Sequence, residues 1–236
     1  MTTLQLVGFG EGGWGWQLLA GTLVTLEIAA ASYGLGVLLG LCGAWAKLSG
    51  PRFARAVGGG YTALVRGVPE ILLIFLIYYG GTSAIRSVIG LVVPGVEIGI
   101  DAFVAAVAAL GFIAGAYTTE IFRGSLLAVD GGQREAATAL SLSPLQGFFL
   151  IVLPQALRVA LPPLGNLWLV VLKDSALISV VGIRDLVGVG ATAALSTRKP
   201  FTFYFTVALV FLAVSILSAV VLHLLERRFS RGFRQH

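Results

Sequence analysis

The sequence predicts an all-α integral membrane bundle, a single domain over residues 1–236 with about five membrane-spanning helices. Three observations predict it: an apolar excess, a shortage of charge, and the placing of that charge between apolar runs. The chain is 57% hydrophobic and 11% charged, with a mean hydropathy of +0.94. Soluble domains hold about 45–50% apolar and about 25% charged residues. An excess of this size cannot be hidden in one soluble core of 236 residues, so lipid is the solvent. Many of the 31 glycines lie inside apolar runs. The spacings Gly36-x-x-x-Gly40 and Gly111-x-x-x-Gly115 either let helices approach closely, as membrane packing favours, or are incidental.

The charge excludes several function classes. A net charge of +5 and a pI near 9.7 suit nucleic acid only if the cations form a stripe. Here the 16 Lys and Arg residues flank apolar segments, so no nucleic-acid partner is expected. A single cysteine, Cys42, excludes an internal disulfide, and two histidines, His223 and His236, offer no metal cluster. No Lys or Arg precedes the first apolar run, so the basic region of a signal peptide is missing and the first span is expected to be retained.

A helix needs about 20 apolar residues to cross the hydrocarbon core. Four stretches qualify, approximately Gln17 to Ala46, Tyr61 to Gly81, Ala102 to Phe122 and Phe201 to Leu225. A fifth, approximately Pro154 to Val180, is interrupted by Pro162-Pro163 and carries Lys173 and Asp174. With five spans, eleven basic residues fall on one side: Lys47, Arg52, Arg55, Arg66, Arg123, Arg134, Arg158, Arg227, Arg228, Arg231 and Arg234. Four fall on the other, Arg86, Arg184, Arg198 and Lys199, with Lys173 inside the broken span. Cytoplasmic loops collect such cations, so the N-terminus is expected outside and the C-terminus in the cytoplasm. The stretch Ser175–Ala194 is not read as a sixth span, because Arg184 and Asp185 sit in its middle. Each such charge costs roughly 2.5–3.5 kcal/mol on insertion. The stretch is read as re-entrant or surface-lying.

Between the third and fourth spans lie about thirty residues, Arg123 to Pro154, too many for an idle connection. Gln133-Arg-Glu-Ala-Ala-Thr-Ala-Leu140 is a run of mostly good helix formers after Gly131-Gly132. Ser143-Pro144-Leu145-Gln146 reads as a second helix start: Ser at the N-cap, Pro at the first position, Gln at the third. The loop is therefore two short helices joined at Ser141–Ser143. Ala136, Ala137 and Leu140 share a small apolar face that either docks into a partner or packs on the chain's own bundle.

Glu135-Ala136-Ala137 followed by Ile151-x-Leu153-Pro154 resembles the cytoplasmic signature of ABC-importer permeases. The family pattern is Glu-Ala-Ala, three residues, Gly, nine residues, Ile-x-Leu-Pro. This chain keeps both ends and the spacing, with Ser141 at the glycine position and Asp130 where relatives often have proline. Tyr61-Thr-Ala-Leu-Val-Arg-Gly-Val-Pro-Glu70, Gly115-Ala-Tyr-Thr-Thr-Glu-Ile-Phe-Arg-Gly124 and Leu172-Lys-Asp-Ser-Ala-Leu-Ile-Ser179 resemble the polar amino-acid subfamily. Within it the chain is most similar to permeases of histidine, lysine–arginine–ornithine and opine systems. The resemblance implies a non-enzymatic permease domain of five spans in the bacterial inner membrane. It further implies a second permease chain, identical or paralogous, two ATPase subunits and an extracytoplasmic substrate-binding protein. On this resemblance Glu135, Ala136, Ala137, Leu140 and Ser141 belong to the ATPase-coupling helix. No Gly-x-x-x-x-Gly-Lys-Ser/Thr phosphate loop occurs in the sequence, so ATP and Mg are expected on the partner subunits and no cofactor on this chain.

Ionisable groups inside spans are functional hypotheses by default. Glu120 and Arg123, three apart, share a helix face and read as an ion pair. Glu27 lies some ten residues into the first span with no neutralising neighbour in sequence, so it faces a basic group on another span or a wet path. Arg66 and Glu70 flank Pro69, which removes a backbone donor and kinks the second span. Asn166 and Asp174, eight residues apart, fall roughly on one face of a span of the broken kind that lines transport sites. Asn166, Asp174, Glu70 and Glu27 are the substrate-path candidates. The carboxylates give the path a slight acidic bias, which suits a basic amino acid; alternatively each pairs with Lys173, Arg66 or a partner's charge. The competing class is an ion-coupled secondary transporter or channel, which predicts internal repeats and no docking helix. A membrane enzyme would need a nucleophile–base set or metal ligands, and neither histidine is placed for one.

Overall fold

The structure, a computed structural model, describes residues 3–92 and 101–229. Arg231, Arg234 and His236 lie outside the described residues. All regular structure among the described residues is helical. Apolar length produces the long elements: α2 (Gly15–Ser49), α6 (Ala102–Leu127), α9 (Leu153–Asp174) and α11 (Pro200–Phe229). A short α1 (Thr3–Val7) packs Leu6 against Ala193, Ala194 and Phe203.

The α2–α6 contact is the spine of the bundle. Gly36 faces Ala114, Gly40 faces Thr118 and Gly43 faces Thr119, so the numbers rise together and the two helices run parallel. Both glycine pairs singled out in the sequence lie on this seam, with Gly111 against Leu35 and Gly115 against Leu39. Close approach lets the Thr118 hydroxyl donate across it to the Gly36 carbonyl at 2.6 Å. In lipid no hydrophobic drive holds helices together, so small residues and such hydrogen bonds supply the association. By contrast Tyr33 of α2 donates to the Leu164 carbonyl, and Ala44 clusters with Ala160, so α9 runs antiparallel to α2. The start of α11 joins the start of α2 through Phe203 and Trp14, and α11 reaches Gly165 of α9 with Leu222. Thr3 and Phe229, the first and last described residues, therefore lie at opposite ends of the bundle.

Because α2 and α6 are parallel, residues 50–101 must recross the full thickness. They do not do so as one kinked span over Tyr61–Gly81. The chain forms α3 (Arg52–Gly67) and then α4 (Glu70–Phe75), bent by 116°. A π-helical segment Leu76–Gly81 and α5 (Thr82–Val92) follow. The break is stereochemical: Pro69 forces the residue before it out of the helical region, and Val68 sits at φ −110°, ψ 141°. A 116° bend exceeds a proline kink because α3 is amphipathic, with Arg52, Arg55 and Arg66 to keep wet. It lies across α2 and α6, placing Gly58 against Lys47 and Thr62 within hydrogen-bonding distance of it.

The expected interruption at Pro162-Pro163 is not there. α9 continues through both prolines, losing only the two backbone donors. Its regularity ends instead at Ser175–Val181, a 3-10 segment closed by Gly182 at φ 90°. Nor is Ser175–Ala194 surface-lying or re-entrant. α10 (Leu186–Thr197) continues towards the α2 start, packed between α2 and α11 with Leu186, Val189 and Ala193 buried. Asp185 is tolerated there because it caps α10, accepting from Gly188 N at 2.8 Å and from the Ser179 hydroxyl. Arg184 stays exposed.

Candidate functional site

Three elements meet where α3 breaks into α4. Glu70 opens α4, and Tyr117 of α6 donates its hydroxyl to Glu70 Oε1 at 3.1 Å. Arg66, last turn of α3, lies over the Tyr117 ring with Cζ 5.7 Å from the centroid. The Asp174 carboxyl, at the end of α9, comes within hydrogen-bonding reach of Glu70. Below this cluster a cavity of about 370 Å³ is lined by Arg66, Tyr117, Glu120, Pro163 and Asn166. The structure thus joins three of the four substrate-path candidates: Glu70 and Asp174 directly, and Asn166 through the cavity wall it shares with Tyr117. Glu27 is the exception. It lies exposed on α2, on the face turned away from the seam, and makes no ion pair among the described residues. Tyr117 was missed in the sequence, although its i, i+3 relation to Glu120 puts both on one helix face.

The lower end of the cavity is tied by charge. Glu120 pairs with Arg123 at 3.0 Å, as the spacing predicts, and also with Lys47 of α2. Lys47 in turn donates to Thr62 of α3 at 2.9 Å. One carboxylate therefore fastens α2, α3 and α6 at one level. Lys47 and Thr62 could not be assigned to it from sequence, being remote along the chain.

The long connection folds as α7 (Gly131–Ala139) and α8 (Pro144–Gly147). Asp130 caps α7 by accepting from Gly132 N at 2.6 Å. Ser143 and Gln146 form the reciprocal capping box that the sequence spells. α7 ends in a Schellman turn: Leu142 N bonds to the Ala137 carbonyl, Ser141 N to that of Thr138, and Ser141 takes φ 57°. That left-handed residue is where the family pattern has glycine, so serine here carries strain. The apolar face divides: Ala137 turns inward onto Gly147, whereas Glu135, Ala136, Leu140 and Ser141 stay exposed, Leu140 at 71%. Ala137 is thus part of the loop's own packing and not of a free docking face. Gln155 of α9 reaches back to Gln133 of α7 at 3.1 Å.

Helices of membrane-spanning length around a hollow that Arg66, Glu120 and Asn166 help to line, with a structured two-helix connection at one end, suit the membrane-embedded part of a transporter. The chain belongs to the family described as binding-protein-dependent transport system inner membrane component, which matches residues 19–231. It is 41% identical over 231 residues to the octopine transport system permease protein OccQ of Rhizobium radiobacter, covering 98% of each chain. It is 44% identical over 218 residues to the histidine/lysine/arginine/ornithine transport system permease protein HisQ of Escherichia coli K12, covering 92% of this chain and 95% of that one. In three dimensions it is similar to a crystal structure of an amino acid ABC transporter with histidines. The TM-score is 0.80 at 32% identity, over 91% of this chain and 95% of that one. A likeness at 21% identity to an inward-facing structure of the MetNI methionine ABC transporter, TM-score 0.70, shows the same fold. The alternative of an ion-coupled secondary transporter is not favoured by these relatives.

Proposed function

We propose that this chain is the permease subunit of an ATP-driven importer for basic amino acids or opines. Substrate passes from an extracytoplasmic binding protein to the cytoplasm by alternating access. A second permease chain, identical or paralogous, completes the pathway, and two ATPase subunits hold ATP and Mg and seat on the α7–α8 loop through Glu135, Ala136, Leu140 and Ser141. The basic residues gathered at the loop end support a cytoplasmic loop and C-terminus, with the N-terminus outside.

The observation that carries the substrate reading is the meeting of Glu70 and Asp174 beside the Tyr117 hydroxyl. Two carboxylates this close repel one another, and a guanidinium or ammonium between them removes the repulsion while supplying donors. Neither forms a salt bridge with Arg66 or Lys173 among the described residues, so the cation is left to the substrate. Asn166, across the cavity, offers a neutral donor and acceptor to the rest of an amino acid.

The test is uptake by the reconstituted complex with its binding protein. Asp174→Asn removes one charged hydrogen bond, about 1–3 kcal/mol, so arginine uptake is expected to fall about tenfold while glutamine uptake is little changed. Equal losses for both substrates would make Asp174 a structural group and sink the substrate reading.

A further inference from the structure

At the loop end, α2, α6 and α9 leave a second groove of about 640 Å³, floored by the connection. Along α2 it runs from Leu41 to Ser49, about 12 Å at 1.5 Å per residue. Its deep end is apolar, with Leu41, Ala44 and Ala160, and the half-exposed Leu157 adds an apolar rim. Its loop end presents Ser125 and Arg134. Ser125 is only 4% exposed, and its hydroxyl bonds to none of the described residues. The Arg134 guanidinium likewise has no ion-pair partner among them. Trp45, 65% exposed, stands on the rim, where an amphipathic ring suits the headgroup level of a bilayer.

At the loop end the Ser125 hydroxyl and the exposed Arg134 guanidinium offer donors to an anionic group, while the apolar walls beside them offer contact to hydrocarbon. We propose that this groove binds an anionic phospholipid of the adjacent leaflet. Its acyl chain lies along the Leu41 and Leu157 walls, and its phosphate is held by Arg134 and Ser125. Three features favour lipid over a protein occupant: the groove opens between membrane spans, its polarity is graded in the order of a phospholipid, and its one cationic lining residue faces the leaflet rich in anionic headgroups. Arg134 belongs to α7 and also lines the hollow between α7 and α8. The bound headgroup therefore anchors the connection to the membrane surface, a role separate from carrying substrate.

The experiment measures phosphatidylglycerol retained by the purified complex, by mass spectrometry after exchange into phosphatidylcholine nanodiscs doped with phosphatidylglycerol. Wild type is expected to retain phosphatidylglycerol in preference to phosphatidylcholine. Arg134→Gln is expected to weaken retention about tenfold, the loss of one charged hydrogen bond, while Arg134→Lys preserves most of it. Leu157→Trp, which fills the groove from a half-exposed rim position, lowers retention with Arg134 intact. Equal retention of the two lipids by wild type, or unchanged retention in Arg134→Gln and Leu157→Trp, overturns the site. So does a photo-crosslinker at position 157 that captures a protein chain instead of lipid.

Discussion

Replacing Glu120 by Gln tests whether one carboxylate fastens three helices. Glu120 and Lys47 retain 20% and 17% of their side-chain exposure, whereas Arg123 retains 38%. Removing one member of a fully buried ion pair costs about 3–5 kcal/mol, because the other charge is left unpaired. Water reaches a fifth of this pair, and Arg123 can turn outward, so Glu120→Gln is expected to cost about 2–3 kcal/mol. Lys47→Met leaves Glu120 with Arg123 and is expected to cost less, about 1–2 kcal/mol. If the two act as a unit, the double variant costs little more than Glu120→Gln alone, giving a coupling of about 1–2 kcal/mol. Equilibrium unfolding of the permease in mixed micelles of increasing SDS content supplies the four free energies. Additive losses would show that Lys47 and Glu120 stabilise the protein independently, and the shared-fastener argument would fail.

Two further substitutions probe the seam and the loop. Gly40→Ala drives a methyl group into Thr118 and separates α2 from α6, so it should cost about 1–3 kcal/mol in the same unfolding assay, while Gly34→Ala, which meets nothing within 4 Å, should be close to neutral; a harmless Gly40→Ala would refute the close-packed seam. Ser141→Gly removes the left-handed strain at φ 57° and should stabilise the α7 terminus by about 0.5–1 kcal/mol, read as slower hydrogen exchange at the Leu142 amide; faster exchange would contradict the Schellman assignment.

Local signals were legible in the sequence and distant ones were not. Ser143 and Gln146 announce their capping box because the partners are three residues apart, and Glu120 announces Arg123 for the same reason. Lys47 and Thr62 reach Glu120 only through packing of separate helices. Pro69 marks a break, but its 116° angle depends on where the amphipathic α3 comes to rest. Pro162-Pro163 misleads in the opposite direction, since neighbouring helices hold α9 straight enough to survive two missing donors. Asp185 reads as a prohibitive charge until its role as helix cap is known, when α10 becomes a buried element. Glu27, isolated in an apolar run, reads like Glu70, but no one-dimensional feature says which side of α2 faces the site.

The unbroken course of α9 has a mechanical meaning. Gln155 at its foot is bonded to α7, and Asp174 stands at its head. Nineteen residues separate them, about 28 Å of rod at 1.5 Å per residue. With its pivot at the foot, a tilt of about 5° swings the head through about 2.5 Å, comparable to the hydrogen bonds around Glu70. Rigid tilting of α9 about its foot is therefore enough to carry the Asp174 carboxyl away from Glu70, which stands on a different helix.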